Sequence, residues 1–222
     1  RKYPELVKAM PEERLDLYRH TMPSRPIRAV DLYPYKQTRP RCCPSPREYP
    51  EALDLKVNRE AGAYDVVGIY NWADEEKTRK VSFADDFGLD ASKKFIVFDF
   101  WNKELLGVHS GGLELDVPRH GVRALILKPL LERPRLAATS RHITGTFSIK
   151  SLEWDAGRSA IDGTSSTVEG DTYKLFFYVP EDTDVAEVEA GVPGVTSTRT
   201  GRLLTVTMAG QGDPVSWSVQ FE

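Results

Sequence analysis

From about Leu53 onward the chain alternates between apolar and polar positions. Leu204, Val206 and Met208 point one way and Thr205 and Thr207 the other. At the end of the chain Val215, Trp217, Val219 and Phe221 alternate with Ser216, Ser218 and Gln220. A period of two with one apolar face predicts antiparallel strands half buried against a core. Burying the last four apolar side chains contributes about 6–12 kcal/mol gross, so the closing strand should be integral to its module. Residues 54–57, 64–70, 79–83, 94–101, 113–117 and 122–128 read as further strands, punctuated by Gly88, the Gly111-Gly112 pair and Gly121. Phe95-Ile96-Val97-Phe98 is apolar on both faces, which predicts a central strand covered on each side.

The first fifty residues follow another pattern. Pro11-Glu12-Glu13 opens a helix, with proline at the first position and acids where the dipole favours them. Leu15, Tyr18 and Met22 follow at helical spacing, and Pro23 ends the helix. Pro26, Pro34, Pro40, Pro44, Pro46 and Pro50 then describe an extended connector. A short helix with one apolar stripe needs something to cover it. Residues 129–143, with Pro129 and Pro134, read as a second connector. The expected architecture is all-β: a short helix and proline-rich connector over 1–50, then two antiparallel β-sandwiches in series at 51–130 and 131–222.

Composition narrows the partners. With 222 residues, a net charge of −3 and a pI near 5.9, the chain has no basic field for nucleic acid. No apolar run approaches the roughly 20 residues of a membrane span. The start, Arg1-Lys2-Tyr3-Pro4, has neither a leader's apolar core nor a Met, so the chain reads as a piece of a longer protein. The cysteines Cys42 and Cys43 are neighbours and read as reduced thiols of a cytoplasmic protein.

No catalytic constellation emerges. His20, His109, His120 and His142 lie in separate segments without metal-ligand spacing, so neither a metal nor a cofactor is expected. Glycoside hydrolysis needs two carboxyl groups about 5–9 Å apart. The acids Asp74-Glu75-Glu76, Asp85-Asp86 and Glu181-Asp182 instead sit in turns, where they keep loops solvated. The tryptophans are the better lead. Trp72 and Trp101 each end an apolar strand, and Trp154 precedes the turn Asp155-Ala156-Gly157. An indole at a strand end either fills a core or junction, or stacks on a sugar's apolar face. Trp217 lies in the buried alternation and belongs to a core.

Several motifs carry a resemblance. Arg14-Leu15-Asp16-Leu17-Tyr18 through Met22-Pro23, with Ile27-Arg28-Ala29-Val30-Asp31-Leu32-Tyr33, resembles the stretch closing the barrel of α-galactosidase and raffinose-synthase-like glycoside hydrolases. Tyr64-Asp65-Val66-Val67-Gly68-Ile69-Tyr70-Asn71-Trp72 is similar to the strand that opens their C-terminal sandwich. Val97-Phe98-Asp99-Phe100-Trp101-Asn102, Val117-Pro118-Arg119-His120-Gly121-Val122-Arg123 and the passage from Pro134 through Thr139-Ser140-Arg141-His142-Ile143 resemble later parts. Arg28-Ala29-Val30 and Tyr70 depart modestly from the family pattern.

The resemblance implies a glycosidase context whose catalytic aspartates lie on an upstream barrel; no motif here matches those strands. The expected role is a non-catalytic region that packs on the upstream (β/α)8 barrel of the same parent chain. The alternative is a carbohydrate-binding module presenting Trp72, Trp101 and Trp154 to galactoside-type oligosaccharides. A second copy of the chain is a further candidate partner.

Overall fold

The computed structural model describes residues 10–21, 28–29 and 51–222. Most of the proline-rich connector, Met22, Pro23 and both cysteines lie outside the described residues. Helix α1 (Glu12–Thr21) begins after Pro11, with Glu12 and Glu13 in its first turn. Among the described residues sixteen strands follow. The first eight are β1 (Arg28–Ala29), β2 (Ala52–Arg59), β3 (Gly62–Tyr70), β4 (Lys77–Ser82), β5 (Lys94–Asp99), β6 (Glu104–Ser110), β7 (Gly112–Val117) and β8 (Val122–Pro129). The rest are β9 (Arg135–Thr139), β10 (Ile149–Asp155), β11 (Ala160–Ser166), β12 (Thr172–Tyr178), β13 (Val185–Ala190), β14 (Thr196–Thr200), β15 (Leu203–Ala209) and β16 (Pro214–Phe221).

They form two antiparallel sandwiches. In the first, a six-stranded sheet of order β1-β2-β3-β8-β5-β6 faces the hairpin-like pair β4-β7. Val67, Phe95, Val97, Leu125 and Leu127 from the large sheet meet Val81, Leu113, Leu115 and Val117 from the small one. In the second, β10-β11-β16-β13 faces β14-β15-β12-β9. Leu204, Val206 and Met208 share that core with Val215, Trp217, Val219 and Phe221, as their alternation requires. Trp217 donates its indole N–H to Ser165 Oγ at 2.8 Å, so its one polar atom is satisfied inside the core. Its ring lies over Gly163, where a Cβ would fall 2.3 Å from a ring carbon; only glycine fits beneath it.

A third cluster joins the sandwiches. Tyr64, Val66, Phe98, Ala124 and Ile126, on the far face of the six-stranded sheet, meet Ala137, Ala138 and Phe176. Phe98 and Phe176 approach to 4.9 Å between ring centres. Strand β5 is thus covered on both faces, with Phe95 and Val97 in the first core and Phe98 in the junction.

The segment 129–143 is not a connector, contrary to the reading of its prolines. Strand β8 runs through Pro129, and residues 135–139 are strand β9, paired antiparallel with β12. Leu136 faces the second core while Ala137 and Ala138 pack in the junction. With both faces covered by small and apolar side chains, the strand has no alternation to betray it.

Helix α1 buries none of its side chains. Leu17 is 52% and Tyr18 56% exposed. Its last turn touches the sandwiches. The Ile143 N–H donates to the His20 carbonyl at 2.9 Å, and the His20 ring stands edge-on to Phe100 and Trp101.

Candidate functional site

Trp72 follows the end of β3 on a corner fixed by Asn71. The Asn71 side chain is buried; its Nδ2 donates to the carbonyls of Glu75 at 2.7 Å and Val117 at 3.0 Å, while its Oδ1 accepts from the Ala73 N–H at 3.0 Å. A buried amide satisfied on both sides holds its turn rigidly. Trp72 is 45% exposed, and its ring lies parallel to Tyr70, 5.4 Å between centres and 2° between planes. On the same corner His120 Nε2 stands 2.9 Å from Asp74 Oδ1, and its backbone N–H donates to Ala73 O.

Trp101 has different surroundings. It follows β5, where the buried Asp99 carboxylate accepts from the Trp101 and Asn102 N–H groups at 3.1 Å and meets Arg123 Nε at 3.0 Å. Its ring packs edge-on to Phe100 and His20, at the contact between helix and junction. Trp154, near the end of β10, is half-buried against the second core, 6.4 Å from Phe221, with the Arg133 guanidinium 4.7 Å over its face. The three indoles therefore occupy an exposed corner, a helix contact and the margin of a core.

A groove of about 1010 Å³ runs along the outer face of β10-β11-β16-β13. The register places Glu153, Asp162, Ser218 and Glu189 in one row across four strands, with Ser151, Thr164 and Ser216 in the next. Residues 191–195 wall one side. Arg158 ties Asp155 at 2.7 Å and also pairs with Asp162. Glu153, Glu187 and Glu189 are exposed to water, and the one aromatic lining the groove is the buried Trp217. The surface is polar, open and without a stacking platform.

Two buried carboxylates do converge. Asp54 lies 2.9 Å from Lys56 Nζ, which also pairs with Asp65 and bonds the Phe87 carbonyl. Neither aspartate lines the groove or any of four further cavities, and the Lys56 ammonium stands between the two carboxylates. The arrangement is a lysine shared by two buried carboxylates, not an acid–base pair across a cleft. Among the described residues no three His, Cys, Asp or Glu side chains stand together as a metal site, and no helix is long and apolar enough to cross a membrane. His109 and His142 make local contacts to the Leu106 carbonyl and the Thr144 hydroxyl.

Two features lay beyond sequence reasoning. Lys128, in β8, is 1% exposed; its ammonium donates to the Leu136 carbonyl at 2.8 Å and stands 4.6 Å above the Tyr64 ring. Burial holds its pKa well below the ordinary lysine value, and the nearby Arg135 charge adds to this. Tyr64 in turn donates its hydroxyl to the Thr144 carbonyl at 2.6 Å, and burial pushes its pKa up. In sequence, Lys128 looks like the polar end of an apolar strand. The second feature is a polar pocket where α1 meets both sandwiches, taken up below.

Residues 58–127 match the family described as the alpha galactosidase C-terminal beta sandwich domain, which runs from the end of β2 to β8. This part of the chain is therefore similar to the sandwich that closes alpha-galactosidases. No curated protein matches. Among solved structures, alpha-galactosidase I from Mortierella vinacea is 28% identical over 35% of this chain and 20% of its own, with a TM-score of 0.31. The isomalto-dextranase of Arthrobacter globiformis T6, solved with panose, is 14% identical over 77% of this chain and 33% of its own, with a TM-score of 0.31. The chain thus spans between a fifth and a third of the length of these proteins.

Proposed function

We propose that this chain is the non-catalytic C-terminal β-sandwich region of an α-galactosidase-like glycoside hydrolase, and that it packs on and stabilises a catalytic barrel upstream. The observation that carries the reading is the match of residues 58–127 to the alpha galactosidase C-terminal domain. The open apolar side chains of α1, Leu17 and Tyr18, support it, because a barrel flank would remove them from water. In this reading residues 1–50 complete and link the barrel, 51–130 form the first sandwich domain and 131–222 the second. The test is to mix the chain with the separately expressed barrel. Co-elution and a raised barrel melting temperature are expected, both weakened by Leu17→Asp with Tyr18→Asp. No association and no change in melting would overturn the reading. The purified chain should leave a chromogenic α-galactoside intact.

A second reading, sugar binding, is favoured by one observation: Trp72 is presented, half-exposed, on an Asn71-pinned corner. A saturable change in tryptophan fluorescence on adding galactosides, lost in Trp72→Ala with the fold retained, would support it. Binding that survives Trp72→Ala would remove that corner from the account.

A further inference from the structure

The pocket between α1 and the two sandwiches, about 460 Å³, gathers basic side chains from four separate segments. Arg19 comes from α1, Lys103 from the β5–β6 turn, Arg141 from the segment after β9 and Lys174 from β12. Two carboxylates, Asp16 and Asp171, share the lining. Asp16 faces His20 at 3.3 Å, and Arg19 is engaged by Glu12. Among the described residues Lys103, Arg141 and Lys174 have no carboxylate at ion-pair distance. With four basic side chains against two carboxylates, the lining carries an excess of positive charge that an anion among them would offset.

The pocket is held in shape by backbone bonds. Ser140 and Lys174 bond reciprocally: the Ser140 N–H donates to the Lys174 carbonyl, and the Lys174 N–H to Ser140 Oγ, both at 2.9 Å. This fixes Arg141 and Lys174 on adjoining segments. Two of the carbonyls at the end of α1, where an anion is disfavoured, are taken up: Arg141 reaches that of Arg19 at 3.4 Å and the Ile143 N–H takes that of His20. Lys103 sits at φ 55, so its turn is a defined left-handed conformation. Thr172 and Ser140 line the same space.

We infer that this pocket binds a small dianionic oxyanion, a phosphate or the phosphate ester of a monosaccharide-sized molecule. The forked guanidinium of Arg141 suits two oxygens at once, with the lysines as flanking point charges. The volume exceeds what a bare ion needs and falls within the range of small-molecule sites. The site shares no lining residue with the sugar corner at Trp72.

The test is calorimetric titration of the full chain with inorganic phosphate, with a hexose 6-phosphate and with the uncharged hexose, each at low and high salt. Saturable, salt-weakened binding of the hexose phosphate, with or without binding of inorganic phosphate, is expected, and none of the uncharged sugar. Lys103→Asn with Lys174→Gln should weaken it about tenfold or more at an unchanged melting temperature. Lys103→Asn alone, in an exposed turn that asparagine tolerates, should weaken it to a smaller degree without touching the sheet. Absence of saturation with both phosphate probes, equal binding of the uncharged hexose, or full affinity in the double variant would each overturn the proposal.

Discussion

The two faces of the six-stranded sheet meet different company. Toward β4 and β7 the interface is apolar through its middle, with Val67, Phe95, Val97, Leu125 and Leu127 fully covered. The charges buried at its margin, Asp54 and Asp65, are answered by Lys56. Toward the second sandwich the same sheet offers Phe98 and Ile126 but also Lys128, Tyr64 and their bonds to Leu136 and Thr144. Here the buried lysine has a carbonyl and an aromatic face for partners, and among the described residues no carboxylate. An apolar interior holds shape by volume and tolerates rearrangement. A junction built on directional bonds admits fewer alternative seatings, at a cost in desolvation. The face within a sandwich is built for cohesion, the face between sandwiches for alignment.

The sharpest way to break this comparison is to remove β16, which lies between β11 and β13. Deleting residues 214–222 should abolish the second sandwich's cooperative melting, followed by circular dichroism, and leave the first sandwich's transition. An unchanged melt would mean the second core does not depend on Trp217 and its neighbours. Next in size, Phe98→Ala should cost about 3–5 kcal/mol in urea unfolding and split one transition into two, because Phe98 and Phe176 couple the sandwiches. A single transition with the same loss would locate the coupling elsewhere.

Lys128→Met sharpens the polar side of the contrast. The folded chain favours the neutral amine, since burial depresses the Lys128 pKa. The unfolded chain binds that proton below about 10.4, so stability falls as pH drops from that value toward the folded pKa. The raised pKa of Tyr64 favours its neutral phenol and takes stability away at strongly alkaline pH, which leaves about pH 7–9 as the window to read. Wild-type unfolding free energy should rise across it. The methionine variant should be flatter, and more stable at the lower end by on the order of 1 kcal/mol. A wild-type curve with no slope would contradict a depressed Lys128 pKa in the junction. The smallest effect belongs to Trp72→Ala, outside both faces: under about 1 kcal/mol. A larger loss would make Trp72 part of the first sandwich's cohesion.

The strands easiest to read in the sequence were those with one wet face. Strands β15 and β16 alternate cleanly because Thr205, Thr207, Ser216 and Ser218 look outward. Strand β5 was recognisable from being apolar throughout, and α1 from Pro11 and its acids. Strand β9 was not, because Leu136, Ala137 and Ala138 are covered on both sides and flanked by Pro134. Strand β6 was equally hidden, with Gly107 at φ 107 interrupting it at a bulge. For the candidate sites the limit is different. Alternation tells which way a side chain points, not whether another element covers it. Trp72, Trp101 and Trp154 therefore looked equivalent, and Lys103, Arg141 and Lys174, separated along the chain, had no shared motif.

Strand β8 ends at Pro129 and β9 begins at Arg135, in the opposite sandwich. Residues 130–134 leave too little slack for a tether. The connection works as a stiff elbow: cargo fused behind Glu222 would be carried at a constant bearing relative to the first sandwich, and a pull on that end would be transmitted rather than absorbed.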